Sequence, residues 1–548
     1  MYDYIIVGAG SAGSVLAARL SEDAGIRVLL LEAGPPDDAP EIRIPAVAPT
    51  LWKGPLAWDD STIPQRHAND RSVFWPSGRT LGGSSSINGM VYIRGNRVDY
   101  DTWRDAYGCA GWGYEDLLPY FRKAEDQERG ESVFHGTGGL LRVEDGRYQH
   151  ILTQAWVESA KAYGLPANDD FNGAEQDGVG FFQLTQRQGE RWSTADGYLR
   201  PAMERDNLTV ETGALVTRVL VDNGRATGVR YVRDGTERDV YARGEVVLSG
   251  GALNSPQLLM LSGIGPAEQL REHDIEVIVD APQVGEGLQD HPICAPQWHT
   301  PRTRNLFEEA TPENMALWQE MRQGPMTSNG PEAGGFGRSR EGLRAPDLGY
   351  GVAAAPGPDE LQAHPDRRGV SLLVYTVDVK SRGRVTLRSS DPHAKLAVDP
   401  AYLSSEADLD VLVAGVRQQR EIAAQEPLAA HTAGEYAPGE QASDDEQLRA
   451  WVRRTVTTLF HPTSTCAMGG TKEAVCDPEL RVRGVEGLRV VDASVMLAVP
   501  RGNTNAPTIA IAERAADLIK GNTPLAYIAP KQEPAGSTVS TRADQDRS

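Results

Sequence analysis

The sequence predicts an α/β fold in which one domain is assembled from separated stretches of chain and joined to a second, α+β domain. Three observations carry this. The chain opens on the short apolar strand Tyr4-Ile5-Ile6-Val7, a glycine turn, an apolar-periodic segment through Leu16, Ala17 and Leu20, and the strand Val28-Leu29-Leu30-Leu31. A second strand, Glu245 to Leu248, runs into the glycines Gly250-Gly251. After a middle region of different character, the βα style returns with Leu488 to Asp492 and a helix over Ala506 to Ile519. Continuous hydrophobic runs such as Ile5 to Val7 are what a parallel strand covered on both faces requires.

The remaining elements follow in order. From Asp37 to Arg79 the chain is rich in Pro, Trp and Asp without a clear period, which predicts an irregular surface excursion. Leu215 to Val221 and Val229 to Val232, separated by Asp222-Asn223-Gly224, predict a hairpin. Helical stretches at Glu313 to Arg322 and Glu406 to Gln425 alternate with the strand-like Val370 to Val377. Residues 1–155, 205–300 and 455–521 are thus expected to form the first domain, and 156–204 with 301–454 the second. Residues 522–548 turn Pro/Ser/Thr/Gln-rich and are expected to be a disordered tail.

Composition excludes several classes. Of 548 residues, 55 are Lys or Arg and 76 Asp or Glu, a formal charge of −21 that opposes binding to a phosphate backbone, so no nucleic-acid partner is expected. The four cysteines, Cys109, Cys294, Cys466 and Cys476, form no CxxC pair, and no HxxxH or carboxylate spacing suggests a metal. The start of the chain shows no basic and apolar leader, and no run long enough to span a membrane follows. These features predict a soluble, cytoplasmic protein with reduced thiols.

Gly8-Ala9-Gly10-Ser11-Ala12-Gly13 is a GxGxxG turn between strand and helix, the Rossmann-like arrangement whose backbone amides and helix dipole meet a pyrophosphate. Gly8 permits the turn, Gly10 removes a Cβ that would block phosphate, and Gly13 allows close helix–strand packing. Glu32, followed by Ala33, ends the second strand where a carboxylate accepts ribose hydroxyls. The turn leaves NAD and FAD both open.

Gly78-Arg79-Thr80-Leu81-Gly82-Gly83-Ser84-Ser85-Ser86-Ile87-Asn88-Gly89-Met90 resembles the first signature of the glucose-methanol-choline (GMC) flavoprotein oxidoreductases. Gly250 through Pro266 resembles the second signature, and Val284-Gly285 to Asp290-His291-Pro292 a third. The resemblance covers most of residues 1–300 and 455–521 and implies the GMC fold, with an FAD-binding and a substrate-binding domain. It implies that Thr80, Gly82, Gly83, Asn88, Gly89 and Val91 lie near the isoalloxazine and pyrophosphate. Val216 would offer backbone bonds to adenine, and Asp492 and Ala493 would hold the ribityl chain and pyrophosphate. Small residues at 82–86 suit this, because backbone can then lie flat against a planar ring. Ile87 stands where some relatives carry a flavin-tethering histidine, so non-covalent FAD is expected.

Phe460-His461-Pro462 to Gly469 resembles the segment that presents the family's active-site histidine. An imidazole, with an ordinary pKa of about 6.5, suits removal of an alcohol proton near neutrality. His291 is the competing histidine and is expected to be structural, near the domain junction. Gly502-Asn503-Thr504-Asn505 matches the place of the second catalytic member, and Asn503 is expected to donate a hydrogen bond to the developing alkoxide, with Asn505 as its alternative. Asn503 and Thr504, opening the last helix, also suit the flavin pyrimidine edge or a simple N-cap. The expected function is FAD-dependent oxidation of a primary alcohol to an aldehyde, with electrons passing to oxygen or to a quinone or other carrier. A flavin-binding hydroxynitrile lyase and a non-catalytic flavin module are the readings from other classes.

Overall fold

A computed structural model describes residues 1–357, 364 and 366–527; most of the expected tail, 528–548, lies outside the described residues. The opening βαβ unit consists of β1 (Tyr2–Val7), α1 (Ser11–Leu20) and β2 (Val28–Leu31). The same sheet takes up β3 (Leu208–Glu211), β4 (Leu215–Asp222), β5 (Arg225–Arg233) and β6 (Thr236–Leu248), which leads into helix α2 (Gly251–Leu261). Near the end of the chain, β7 (Leu488–Val490) and helix α3 (Asn505–Lys520) complete the domain.

The strand order is β3-β2-β1-β6-β5-β4, with β7 beside β6. β1 runs parallel to both neighbours, Ile5 lying opposite Leu29 on one side and Val246 on the other. Val28, Leu29, Leu30 and Leu31 are all buried, as a strand with both faces covered demands. The β4–β5 hairpin closes through Asn223 and Gly224, both at positive φ, the conformation that a two-residue turn matching the strand twist requires.

The glycine clusters have a close-packing role. A Cβ on Gly13 would stand 1.9 Å from the Gly8 carbonyl oxygen, and one on Gly83 would stand 2.7 Å from Gly10 Cα. Gly82 N donates to the Ala9 carbonyl at 2.8 Å. Segment 78–90 is thereby laid directly on the first turn.

The second domain rests on an antiparallel sheet in the order Glu435–Ala437, Gln297–His299, Gly369–Thr376, Leu348–Ala353, Ala333–Gly337, Gly178–Phe181. Helices Ile151–Tyr163 and Glu406–Ala423 bury their apolar faces against it, through Trp156, Leu412 and Val416 among others. The expected helix at 313–322 is Pro312–Met321. The 37–79 excursion contains short 3-10 turns, Pro40–Arg43 and Pro45–Trp52, and the two-residue strands Ala57–Trp58 and Ser77–Gly78. The cores interleave: Ala68 and Val73 join the second, while Val385, Leu387, Leu396 and Val398 join the first. Among the described residues no helix is long and apolar enough to cross a membrane.

One short strand lies where the domains meet. Pro292–Cys294 pairs with Gly369–Thr376 on one side and with Thr457–Thr458 on the other, so the chain just before it passes between residues 457–464 and the second sheet.

Gly10 and Gly13 of the first turn separate ligand space from packing, since a Cβ on Gly10 would meet no protein atom within 4 Å. Gly13→Ala is expected to cost about 1–3 kcal/mol through the clash with Gly8. Gly10→Ala is expected to change stability by less than about 1 kcal/mol. Urea unfolding of both variants checks the contrast.

Candidate active site

The site is organised by Gln289-Asp290-His291, the residues immediately before the seam strand. Gln289 exchanges backbone bonds with Thr463, its N donating to the Thr463 carbonyl at 3.3 Å and its own carbonyl accepting from Thr463 N at 3.0 Å. Its side-chain oxygen accepts from Val499 N at 3.0 Å, and its amide nitrogen donates to the Val379 carbonyl at 3.0 Å. Asp290 is fully engaged: Oδ1 accepts from His461 N at 2.7 Å, while Oδ2 accepts from Thr458 Oγ1 at 2.6 Å and from the Tyr402 hydroxyl. Burial pushes the Asp290 carboxyl up to about 6, against the hydrogen bonds that favour its charge.

His461 projects from a turn of unusual backbone. Phe460 and Ser464 both have left-handed φ values, 64° and 78°, which cost free energy in non-glycine residues and persist only where surrounding contacts hold them. Those contacts are visible here: Asp290 holds His461 N, Thr458 Oγ1 accepts from Phe460 N at 2.7 Å, and the Trp52 ring lies 5.0 Å from that of Phe460. The Ala493 carbonyl accepts from Ser464 N at 3.3 Å, joining the turn to the segment after β7.

Asn503 arrives from the other side, ahead of α3. Arg501 anchors its loop: its backbone N donates to Asp99 Oδ2 at 2.7 Å, and its guanidinium pairs with Asp99 and, at 3.0 Å, with Asp378. Gly502 packs so tightly that a Cβ would stand 2.3 Å from Ile93 Cγ2. The result brings Asn503 Nδ2 to 3.2 Å from His461 Nε2. Asn505 does not share this position, because its Oδ1 accepts from Ser11 Oγ of the first glycine turn at 2.7 Å. Thr504 occupies the N-cap of α3 without a side-chain capping bond.

On the far side of His461, its Nδ1 lies 2.9 Å from His291 Nδ1, with the two rings perpendicular at 89°. Burial pulls the His461 imidazole down to about 3, and burial followed by the neighbouring imidazole pulls His291 well below its ordinary value. Both rings are neutral at working pH, and a neutral imidazole is the form that can accept a proton.

Of the other sequence-predicted residues, Glu32, Gly82 and Gly83 touch the first turn, and the rest are held by the partners below. Glu32 accepts from Ala9 N and Gly34 N, each at 2.8 Å, and is buried, which raises its carboxyl. The Ala33 carbonyl accepts from Arg79, and Thr80 Oγ1 donates to the Pro35 carbonyl at 2.9 Å. Asn88 Oδ1 accepts from Met90 N at 3.0 Å and from the buried Arg191 at 2.8 Å. Val91 bridges to Leu184. Asp492 accepts from Gly251 N, Ser255 Oγ and Ser494, binding β7 to the start of α2. Val216 stands apart from these on β4, at the sheet edge.

Whether these residues fit a dinucleotide is tested by the space they leave. Gly10 has φ −71°, ordinary for any residue, and Gly89 also lies outside the left-handed region; neither has a protein atom within 4 Å of a built Cβ. Protein packing does not require glycine at either position, whereas a bound group would. Ile87 is buried against Ile42, Leu51 and Ala57 and offers no nucleophile for a covalent link.

Sequence reasoning missed Asp290, Tyr402, Thr458 and Arg501 as supports and gave His291 a structural role, whereas the structure sets it against His461. The Gln-Asp-His run inside the third signature was the one available signal; Tyr402 and Thr458 carry none.

Three comparisons with known proteins bear on this arrangement. Residues 2–293 and 379–512 match the N- and C-terminal family models described as GMC oxidoreductase. The chain is 42% identical to mitochondrial choline dehydrogenase of Mus musculus, covering 95% of this chain and 90% of that protein. It is 43% identical to an alcohol dehydrogenase [acceptor] of Pseudomonas putida, covering 95% and 96% respectively. Among solved structures it is similar to pyridoxine 4-oxidase from Mesorbium loti, with a TM-score of 0.87, 32% identity, and 95% and 100% of the two chains covered.

The depressed imidazole has a consequence for stability. Because the folded ring binds its proton only near pH 3 and the ordinary value is 6.5, the unfolded chain takes up a proton that the folded chain refuses. That contribution is present above pH 6.5 and is lost as pH falls toward 3. His461→Gln is expected to lose less stability than the parent between neutrality and about pH 5, read by denaturant unfolding at each pH.

Proposed function

We propose, from the premise that this chain belongs to the GMC oxidoreductase family, that it oxidises a primary alcohol to an aldehyde using non-covalently bound FAD. The observation that carries this reading is the part-buried contact between His461 Nε2 and Asn503 Nδ2, which aims a proton acceptor and a hydrogen-bond donor at one point. Relatives named as choline and alcohol dehydrogenases support the substrate class.

Gly8, Gly10, Ser11, Ala12, Gly13, Glu32 and Ala33 would hold the adenosine and pyrophosphate, with Val216 at the adenine. Thr80, Gly82, Gly83, Asn88, Gly89 and Val91, together with Asp492, Ala493, Asn503 and Thr504, would hold the remainder. Bound there, FAD supplies a two-electron acceptor for hydride. His461 Nε2 takes the hydroxyl proton while Asn503 Nδ2 donates to the same oxygen, stabilising negative charge without competing for the proton. The Asp290 bond to His461 N keeps the ring on line during the transfer, and burial excludes water from it.

Anaerobic mixing of the FAD-loaded protein with a panel of primary alcohols is expected to bleach the flavin, and an unchanged yellow spectrum with every alcohol contradicts the reading and favours a lyase. Readmission of air then distinguishes oxygen from a carrier as acceptor. His461→Ala is expected to slow flavin reduction about 10²–10⁴-fold and Asn503→Ala about 10–10³-fold. Gly10→Val is expected to fold yet retain little flavin, checked by the visible absorbance of the purified protein.

A further inference from the structure

We propose that His291 is a positioning residue that fixes the tautomer of His461, so that Nε2 is left without a proton and can act as the base. The inference rests on the reading of His461 as base and adds a second imidazole to the machinery. Two Nδ1 atoms at 2.9 Å cannot both present protons, nor both present lone pairs, without strong repulsion; one proton lies between them. The contact at the other end of His461 decides which ring owns it.

Asn503 turns its amide nitrogen, a donor only, toward His461 Nε2 at 3.2 Å. Nε2 must therefore accept. In a neutral imidazole the proton then sits on Nδ1, which donates to His291 Nδ1, and the proton of His291 sits on its Nε2. That Nε2 has no well-formed hydrogen-bond partner among the described residues; the Pro500 carbonyl is the backbone group that acts on the ring. In the opposite arrangement His291 would donate, His461 would carry its proton on Nε2, and two N–H groups would face each other at Asn503.

The pair is held rigidly in this relation. Leu459 N donates to the His291 carbonyl at 3.1 Å, the Tyr375 ring lies 6.1 Å from the His291 ring, and His291 is fully buried. The charged and titratable groups facing it all favour neutrality or are otherwise committed. Arg501 opposes a second positive charge and is itself paired with Asp99 and Asp378. Asp290 spends its oxygens on Thr458, Tyr402 and the His461 backbone, and burial pushes the Tyr375 hydroxyl up. A neutral acceptor thus does the orienting that a carboxylate does in a hydrolase triad, without burying a second ion. When the alcohol O–H bond breaks and its proton passes to His461 Nε2, the positive charge is shared through the Nδ1–H bond to His291, whose own electrons are unchanged. Protonation of His291 on Nδ1 would reverse the donor order, so the reaction rate falls as pH is lowered through the titration of the coupled pair.

Two substitutions and one spectrum test this. His291→Leu removes the acceptor, whereas His291→Asn can return an amide oxygen to the place of Nδ1. His291→Leu is expected to slow anaerobic flavin reduction about 10²–10⁴-fold at unchanged flavin content, and His291→Asn to recover at least about tenfold of that loss. The ¹⁵N imidazole spectrum of histidine-labelled protein, with and without FAD, is expected to show His461 protonated at Nδ1, and a tautomer mixture in His291→Leu. A His461 spectrum of the Nε2–H form, a His291→Leu rate within about threefold of the parent, or equal losses in Leu and Asn variants with flavin retained would each overturn the proposal. Failure of the parent to reduce flavin with any alcohol would instead overturn the oxidation reading, while the tautomer spectrum still decides the role of His291.

Discussion

The bonds made by Gln289 and Asp290 constrain everything the site can do. Three elements that begin far apart in the chain meet on this strip: the turn of His461, the loop leading to Asn503, and the lead-in to helix Glu406–Ala423 through Tyr402. Gln289 reaches Val499 with its oxygen and Val379 with its nitrogen, so one amide spans the junction of the two domains. A buried carboxylate without a cationic partner among the described residues is expensive, and Asp290 is tolerated because hydroxyls and a backbone amide satisfy its oxygens. Thr458 and Ala493 hold the left-handed residues Phe460 and Ser464 in place, and Thr458 also donates to Asp290, so strain in the turn and satisfaction of the carboxylate are linked.

Burial sets the chemistry of the imidazoles as well as their geometry. Removing His461 and His291 from water disfavours their charged forms, which leaves two neutral rings in contact at neutral pH. A neutral ring is a competent acceptor, and its weak intrinsic basicity is offset when the electrons of the alcohol carbon depart in the same reaction. At the cofactor end the pattern differs. Packing demands glycine at positions 13 and 83, while the open space beside Gly10 and Gly89 is left for something other than protein. Ser11 bonded to Asn505 ties the two ends together, since the first glycine turn and the helix that follows Asn503 share that contact.

What could be read from the sequence was local. The β1-α1-β2 unit, the Asn223-Gly224 hairpin and the helix at 406 follow from periodicity and turn chemistry within short windows. Interleaving of the cores could not be read, because Ala68 and Val398 are ordinary apolar residues whose partners are chosen by long-range packing. His461 and Asn503 were identified through motif resemblance, yet their 3.2 Å contact depends on Arg501 being pinned by Asp99, which lies 402 residues away in the chain. His291 shows the limit most clearly. Family resemblance sets this histidine near the domain junction and suggests a structural role, and a ring contact across 170 residues leaves no trace in either local pattern.

The most direct test of this account is an experimental structure of the protein loaded with FAD and a non-reactive alcohol analogue. The account predicts the alcohol oxygen within about 2.6–3.2 Å of both His461 Nε2 and Asn503 Nδ2, beside the flavin ring, with His291 behind His461. A flavin seated away from these side chains, or an alcohol oxygen held by other residues, would contradict it.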